Sequence, residues 1–491
     1  MKDKAKRTVY IYAIVFTMLY TAPFYLHQQF GDLDLNQVLY LFISNQKGAN
    51  MDWIIILNYI LFTLPFVLLV LALVSLFYYM RDKFPVLNQK IMDHKPRAKA
   101  ISSAIVLFLV GLLLFDFKFQ VFSFIKTRSD TSILYERYYV NPDTVEISFP
   151  ETKQNLIYIV LESLNTNFDH LIIDDASVNL IPNLKTLAQE NLNLSHTSGF
   201  GGAQQLNGLS WTMASLVGMS SGIHLSVLMG EDIYKQDQEF LPGVKTIGEI
   251  LAEAGYANYF LLGSDGKYAG RQTYFETHGD YEVIDINTLK AEAVVPQDYN
   301  VFWGVEDTKL FSYAKTKLLE VAAQDQPFNF TLLTVDTHFM EGYMDPTCYY
   351  DYGISYANAI ACADDLLGEF MDWITAQDFY ENTTVILIGD HNTMNDGFLS
   401  LRHDEQVSIY NAMLNVNLDF DPKFVNHRDF SVLDMFPTTL AALGATIEGE
   451  RLGLGVNVFS GEPTLLERLG KNELNNELIK QSDYYEHFYK P

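Results

Sequence analysis

The chain has 491 residues, 49% apolar, 14% aromatic and 19% charged, a balance that excludes a disordered or collagen-like protein and equally a pure membrane bundle. Lys+Arg 33 against Asp+Glu 60 leave a net charge of −27, which excludes the broad phosphate-backbone contact of a nucleic-acid binder. The charge is also split: residues 1–137 hold 15 basic and 9 acidic side chains and residues 138–491 hold 18 and 51, so the two parts face different surroundings.

Residues 9–26 and 53–80 carry no charged side chain, and at a rise of about 1.5 Å per residue both suit a hydrocarbon core of roughly 30 Å. A third apolar segment, Ser102 to Ile125, carries Asp116 and Lys118; its span is predicted over 101–120, with Lys118 reaching the interface. Lys2, Lys4, Lys6 and Arg7 precede the first span, and Arg81, Lys83, Lys90, Lys95, Arg97 and Lys99 lie between the second and third. Both segments are therefore expected in the cytoplasm. Three spans place the acidic part outside the membrane, whereas two would leave it in the cytoplasm. A cleaved signal peptide is not expected, because no small-residue cleavage site follows the first run and two more runs come after it. Between the first two spans, Leu35, Val38, Leu39 and Phe42 recur at helical spacing, which reads either as a helix along the outer interface or as an ordinary short loop helix.

From about residue 151, after a linker over 126–150, strands alternate with helical stretches, which predicts an α/β domain with a mostly parallel sheet over 151–470. Buried strands are predicted at 156–162, 256–263, 328–336 and 384–390. Helical periodicity is clear in IPNLKTLAQEN, VKTIGEILAEAG and ISYANAIACADDLLGEFMDWI. The last segment, 471–491, is polar and reads as a solvated tail or a strap on the domain. Two cysteines, Cys348 and Cys362, fall in the acidic part, where a disulfide and two free thiols are both open readings.

Sites in open α/β sheets form at the carboxyl ends of strands. Two predicted strands end on groups suited to a divalent cation: LIYIVLES delivers Glu162, and VILIGDHNTM delivers Asp390 and His391. Taken singly, such a residue is more often a cap or a satisfied polar group. A Gly-rich loop, SGFGGAQQLNG, then runs into an apolar helix with Thr212 near its start, where a hydroxyl meets the positive end of the helix dipole. Threonine is a weak nucleophile until a metal or base lowers the pKa of its hydroxyl, and Glu162, Asp390 and His391 are placed to hold that metal. The plainer reading makes Thr212 only the first residue of a helix.

Together these segments resemble the lipoteichoic acid synthase and membrane phosphoglycerol transferase family, within the alkaline phosphatase and sulfatase superfamily. The resemblance is strongest to the glucan-modifying phosphoglycerol transferases, whose helix reads roughly WTxxGxVASQCGIPL. WTMASLVGMSSGIHL keeps the Trp-Thr and Gly-Ile at the same offsets and departs at Ser221 and His224. LLTVDTHF resembles the family's substrate-contacting segment and puts that role on His338. YAGRQTYFETHGDYEV resembles the segment with a basic headgroup contact, here Arg271, with Ala269 where some members carry an aromatic. LDMFPTTLAALG and RLGLGVNVFS resemble the family's C-terminal signatures. The likeness extends over about residues 151–465.

The resemblance implies an alkaline-phosphatase-like catalytic domain behind a multi-pass anchor in a bacterial cytoplasmic membrane, with the domain extracytoplasmic. It implies a metal, Mn²⁺ or Mg²⁺ with Zn²⁺ still open, held by Glu162, Thr212, Asp390 and His391. Thr212 would be the nucleophile, with Trp211, Arg271 and His338 contacting substrate; His403, in LRHDEQ, is a further candidate more readily read as a surface residue. The implied donor is phosphatidylglycerol, drawn from the lipid bilayer, and the acceptor is a hydroxyl of a surface glycan or polymer. Neither cysteine begins the Cys-x-Pro-x-Arg pattern of formylglycine sulfatases, which disfavours sulfate ester hydrolysis. Phosphoethanolamine transfer, phosphodiester hydrolysis and a non-catalytic anchored glycan-binding role remain the rivals.

Overall fold

The computed structural model describes residues 2–30, 34–43, 53–83, 110–111, 113–117, 119–227, 239–402 and 406–490. They fall into two compact units, one of residues 1–35 and 51–126, the other of residues 36–50 and 127–491.

In the first unit, helices α1 (Lys2–Phe30) and α3 (Trp53–Lys83) pack side by side, with Thr21 Oγ1 2.9 Å from Thr63 Oγ1. Lys6–Gln29 and Ile56–Met80 are long and apolar enough to cross a membrane. The third predicted span, 101–120, falls mostly outside the described residues, as does His403. Helix α2 (Leu35–Ile43), the segment predicted from its apolar spacing, belongs from Asn36 onward to the second unit.

The second unit is built on a six-stranded sheet. Its strands are β1 (Asn155–Leu161), β2 (Ala257–Leu262), β3 (Glu282–Ile284), β4 (Phe328–Leu333), β5 (Thr383–Gly389) and β6 (Asn411–Leu414), in the order β3-β2-β4-β1-β5-β6. All neighbours are parallel except β5 and β6. A parallel sheet covered on both faces needs strands that are apolar throughout. In β1, Ile157, Ile159 and Leu161 enter one core and Leu156, Tyr158 and Val160 the other, as a side-chain period of two requires. Helices cover both faces, among them α4 (Thr212–Ser221), α5 (Arg271–Thr277), α6 (Asp307–Ala322) and α7 (Ser355–Thr375).

The four predicted strands and three predicted helices are present with every end within three residues of its predicted place. Cys348 and Cys362 form a disulfide, with Cα atoms 5.7 Å apart. The C-terminal segment is a strap: helix α8 (Lys471–Ile479) and the turn Tyr485–Tyr489 bury Leu474, Leu478, Tyr485, Phe488 and Tyr489.

Candidate active site

The central pair β1 and β5 places the cluster. Leu161 pairs with Gly389, so the residues that follow, Glu162 and Asp390, leave the sheet at the same edge, with His391 next in line. One ligand atom from each of Glu162, Asp390 and His391 lies within 4.8 Å of the others, and all three residues are buried. His391 Nδ1 is 2.8 Å from the Asn392 carbonyl, an acceptor only, so the proton sits on Nδ1. Nε2 then turns its lone pair toward Glu162 Oε1 at 3.6 Å and Asp390 Oδ2 at 3.4 Å. Asp390 Oδ2 is buried and has no hydrogen-bond partner among the described residues. Acceptors facing one another in a dry site require a cation between them, a proton or a metal ion, and carboxylates with imidazole are a donor set for a divalent metal. These residues fit a divalent metal ion.

Further bonds hold this geometry. Asp390 Oδ1 accepts from the backbone N–H groups of Ser163 and His391, each at 2.7 Å. Ser163, at φ 52°, donates its hydroxyl to Glu162 Oε1 at 2.7 Å. Thr334 Oγ1 accepts from the Glu162 N–H at 3.0 Å, Thr337 donates to the Glu162 carbonyl, and Ser215 donates to that of Asp390.

Thr212 opens α4, and its hydroxyl donates to Glu162 Oε2 at 3.2 Å. The predicted set Glu162, Thr212, Asp390 and His391 is thus brought together. Burial pushes the Glu162 carboxyl up, but His338, His391 and the hydroxyls of Ser163 and Thr212 outweigh it and leave the pKa lowered. Burial, with the charge of Glu162, lifts Asp390 to about 7. Burial lowers His391, but the two carboxylates more than compensate and its pKa is raised.

Arg271 opens α5 and is only 6% exposed. Its Nη1 donates to Ser264 Oγ at 3.0 Å, its Nε to the Tyr268 carbonyl at 3.2 Å, and its guanidinium lies 5.1 Å from the Tyr268 ring centre. Among the described residues it has no ion-pair partner within 4 Å. Burial lowers its pKa, opposed by Tyr268 and Glu162. A buried guanidinium without a carboxylate is suited to an anion supplied from outside. His338 gives its Nδ1 proton to the Phe339 carbonyl at 2.7 Å and packs 4.5 Å from Trp303. Burial lowers its pKa, opposed by Glu162, so the ring is held neutral with Nε2 as an acceptor. Trp211 is buried beside Thr212.

Sequence reading missed Ser163, Ser215, Thr334 and Thr337, which hold Glu162 and Asp390, and Tyr268 and Trp303, which flank Arg271 and His338. Ser163 and Ser215 left a signal: one adjoins Glu162 and the other lies one helical turn past Thr212. Trp303 left none, because its place depends on the packing of a distant loop.

The sulfatase family model matches residues 154–445, more than half of the chain. "Phosphoglycerol transferase I" of Citrobacter koseri is 29% identical over 352 residues, covering 70% of this chain and 44% of that protein. The protein of the same name from Escherichia coli O6:K15:H31 is 30% identical over 285 residues, covering 56% and 36%. The chain therefore spans less than half the length of these relatives. Among solved structures, the lipoteichoic acid synthase LtaP from Listeria monocytogenes has a similar fold, with a TM-score of 0.50 at 17% identity over 66% of this chain and 80% of that one. A strand-end cluster of carboxylates and histidine on a mostly parallel sheet, inside a family match of this extent, has one reading: the chain belongs to the sulfatase family, in the alkaline phosphatase superfamily.

Proposed function

We propose that this protein is a membrane-anchored transferase that moves glycerol phosphate from phosphatidylglycerol to a hydroxyl of a surface glycan or polymer, with its catalytic domain outside the cytoplasmic membrane. The observation that carries this reading is the Thr212 hydroxyl donating to Glu162 beside Asp390 and His391, in a chain whose named relatives are phosphoglycerol transferases. Two long apolar helices support a lipid donor, since an anchor keeps the site beside the membrane that contains it.

Glu162, Asp390, His391 and Thr212 would hold a divalent metal, Mn²⁺ or Mg²⁺, with Zn²⁺ as the other candidate. Bound there, it would lower the pKa of the Thr212 hydroxyl and offset charge on the phosphoryl oxygens. Thr212 directs its proton at the Glu162 carboxylate, leaving an oxygen lone pair for phosphorus. As the bond from Oγ1 to phosphorus forms, the bond from phosphorus to the diacylglycerol oxygen breaks, and that oxygen takes up the proton that Thr212 released. A glycerophospho-threonine remains. Arg271, already desolvated and oriented by Ser264 and Tyr268, would bind the phosphate. His338 would take the proton of the incoming acceptor hydroxyl on Nε2 as the acceptor oxygen bonds to phosphorus and the bond from phosphorus to Thr212 Oγ1 breaks, and that proton would return to Oγ1 to restore the threonine hydroxyl.

Detergent-purified protein with phosphatidylglycerol and Mn²⁺ tests this. Diacylglycerol release and a glycerophosphate-sized gain in intact mass are expected from the wild type, and Thr212→Ala should lose about a thousandfold or more of the release. Release from phosphatidylethanolamine but not from phosphatidylglycerol would replace the donor. Water acting as well as any added hydroxyl would make the protein a phosphodiesterase.

A further inference from the structure

Helix α2 lies between the two long apolar helices in sequence, yet over Leu35 to Tyr40 the side chains it buries most deeply carry polar groups. Asn36, Gln37 and Tyr40 are 0%, 8% and 1% exposed, whereas Leu35, Val38 and Leu39 of the apolar stripe are only half-buried. A helix resting on lipid would bury the opposite set. The polar groups meet protein instead. The Tyr40 hydroxyl donates to the Ala269 carbonyl, and the ring packs 5.7 Å from Trp211. Gln37 Nε2 lies 3.2 Å from Met394 Sδ, three residues past His391. Asn36 Oδ1 accepts from Arg128 Nη1 at 3.3 Å.

Three of these contacts thus reach segments of the site: the Trp211-Thr212 helix start, the loop before Arg271 and the chain after Asp390-His391. The loop before Arg271 most needs an outside hold. Ala269 and Gly270 stand consecutively in left-handed backbone, at φ 56° and 77°, and alanine does so only at a cost. The Ala269 carbonyl that Tyr40 engages lies two residues before the arginine offered to phosphate.

We propose that Tyr40 is a positioning residue of the transfer site: from the segment between the first two long apolar helices it fixes the 268–270 loop, and with it the approach of Arg271 to the donor's phosphate. The activity part of this inference rests on the transferase reading; the structural part does not.

The experiment uses the full chain in detergent as wild type, Tyr40→Phe and Tyr40→Ala. Tyr40→Phe keeps the ring on Trp211 and removes the bond to Ala269. It should speed amide exchange over residues 265–272 in the absence of substrate. It should also lower kcat/KM for diacylglycerol release about three- to tenfold, the size of one neutral hydrogen bond, mainly through KM. Mn²⁺ affinity should stay within about twofold, because Tyr40 touches none of Glu162, Asp390 or His391. Tyr40→Ala should show a larger loss; if it fails to fold, Tyr40→Phe decides alone. Unchanged exchange over 265–272, or faster exchange with unchanged kcat/KM, overturns the proposal. A loss of Mn²⁺ affinity in step with activity overturns it too, as the mark of general disruption. If wild type releases no diacylglycerol, the transferase reading fails, and exchange in Tyr40→Phe still decides whether Tyr40 holds the loop.

Discussion

Ser163 sits between the two carboxylates and is bonded to both, its hydroxyl to Glu162 and its N–H to Asp390. The backbone turns there through a left-handed residue, which brings the amide round to Asp390 as the side chain returns to Glu162. Ser163→Ala should keep the fold and weaken Mn²⁺ binding about tenfold, the common cost of losing a group that orients a metal ligand. Calorimetric titration of the metal-free full chain measures this, and unchanged affinity would show Glu162 to be oriented without the serine. At this scale the sequence is informative where chemistry is abrupt. Glu162 and the Asp390-His391 pair stand out because each ends an apolar run. Ser163, Tyr268 and Trp303 are ordinary residues whose roles come from neighbours far along the chain.

Among the elements, the junction of β4 with α6 holds two carboxyls facing each other. Asp307 accepts from the N–H groups of Val335 at 2.9 Å and Asp336 at 3.1 Å, while Asp336 accepts from the Asp307 N–H at 3.1 Å. Burial raises Asp307 to about 7; burial and the charge of Asp307 raise Asp336 to about 10. Both folded values exceed the unfolded carboxyl value of about 3.9. The protons held by the pair therefore stabilise the folded domain fully below about pH 4, and that contribution is lost as pH rises through about 7 and then about 10. Asp336→Asn keeps the acceptor for the Asp307 N–H and removes one charge, so its thermal midpoint should fall less than wild type's between about pH 6 and pH 9. Parallel curves would place the pH dependence elsewhere. Elements were legible in proportion to length. β1, β2, β4 and β5 have six or seven residues and read as apolar runs, but β3 has three and β6 four, too few for a pattern. The spacing in α2 predicted its helix but not its buried face, since contact with Ala269 and Met394 is set by the fold.

In the second unit, the strap packs the end of the chain against the segment at Thr131 and Ser132. Thr131 bridges Gln481, and the Ser132 hydroxyl donates to Glu477 at 2.7 Å. The Tyr485 hydroxyl donates to the His224 carbonyl at 2.7 Å and accepts from the Ser226 N–H at 2.9 Å. Composition alone left a solvated tail and a strap equally open, because a polar segment needs only a few apolar side chains to dock. Leu478, fully buried, is one of them. Leu478→Ala should cost about 2–5 kcal/mol in chemical unfolding of the full chain, whereas an undocked tail would show no change.

The pairing of β1 with β5 also sets an order of events. Ser163 and Asp390 are 227 residues apart in sequence, and the register Leu161 to Gly389 must close before Glu162 can meet Asp390 and His391. Such a long-range pairing forms late in a chain that emerges amino end first. The cluster is therefore absent from partly folded chains, and a metal bound there would be captured late, from the ions available where the domain finishes folding.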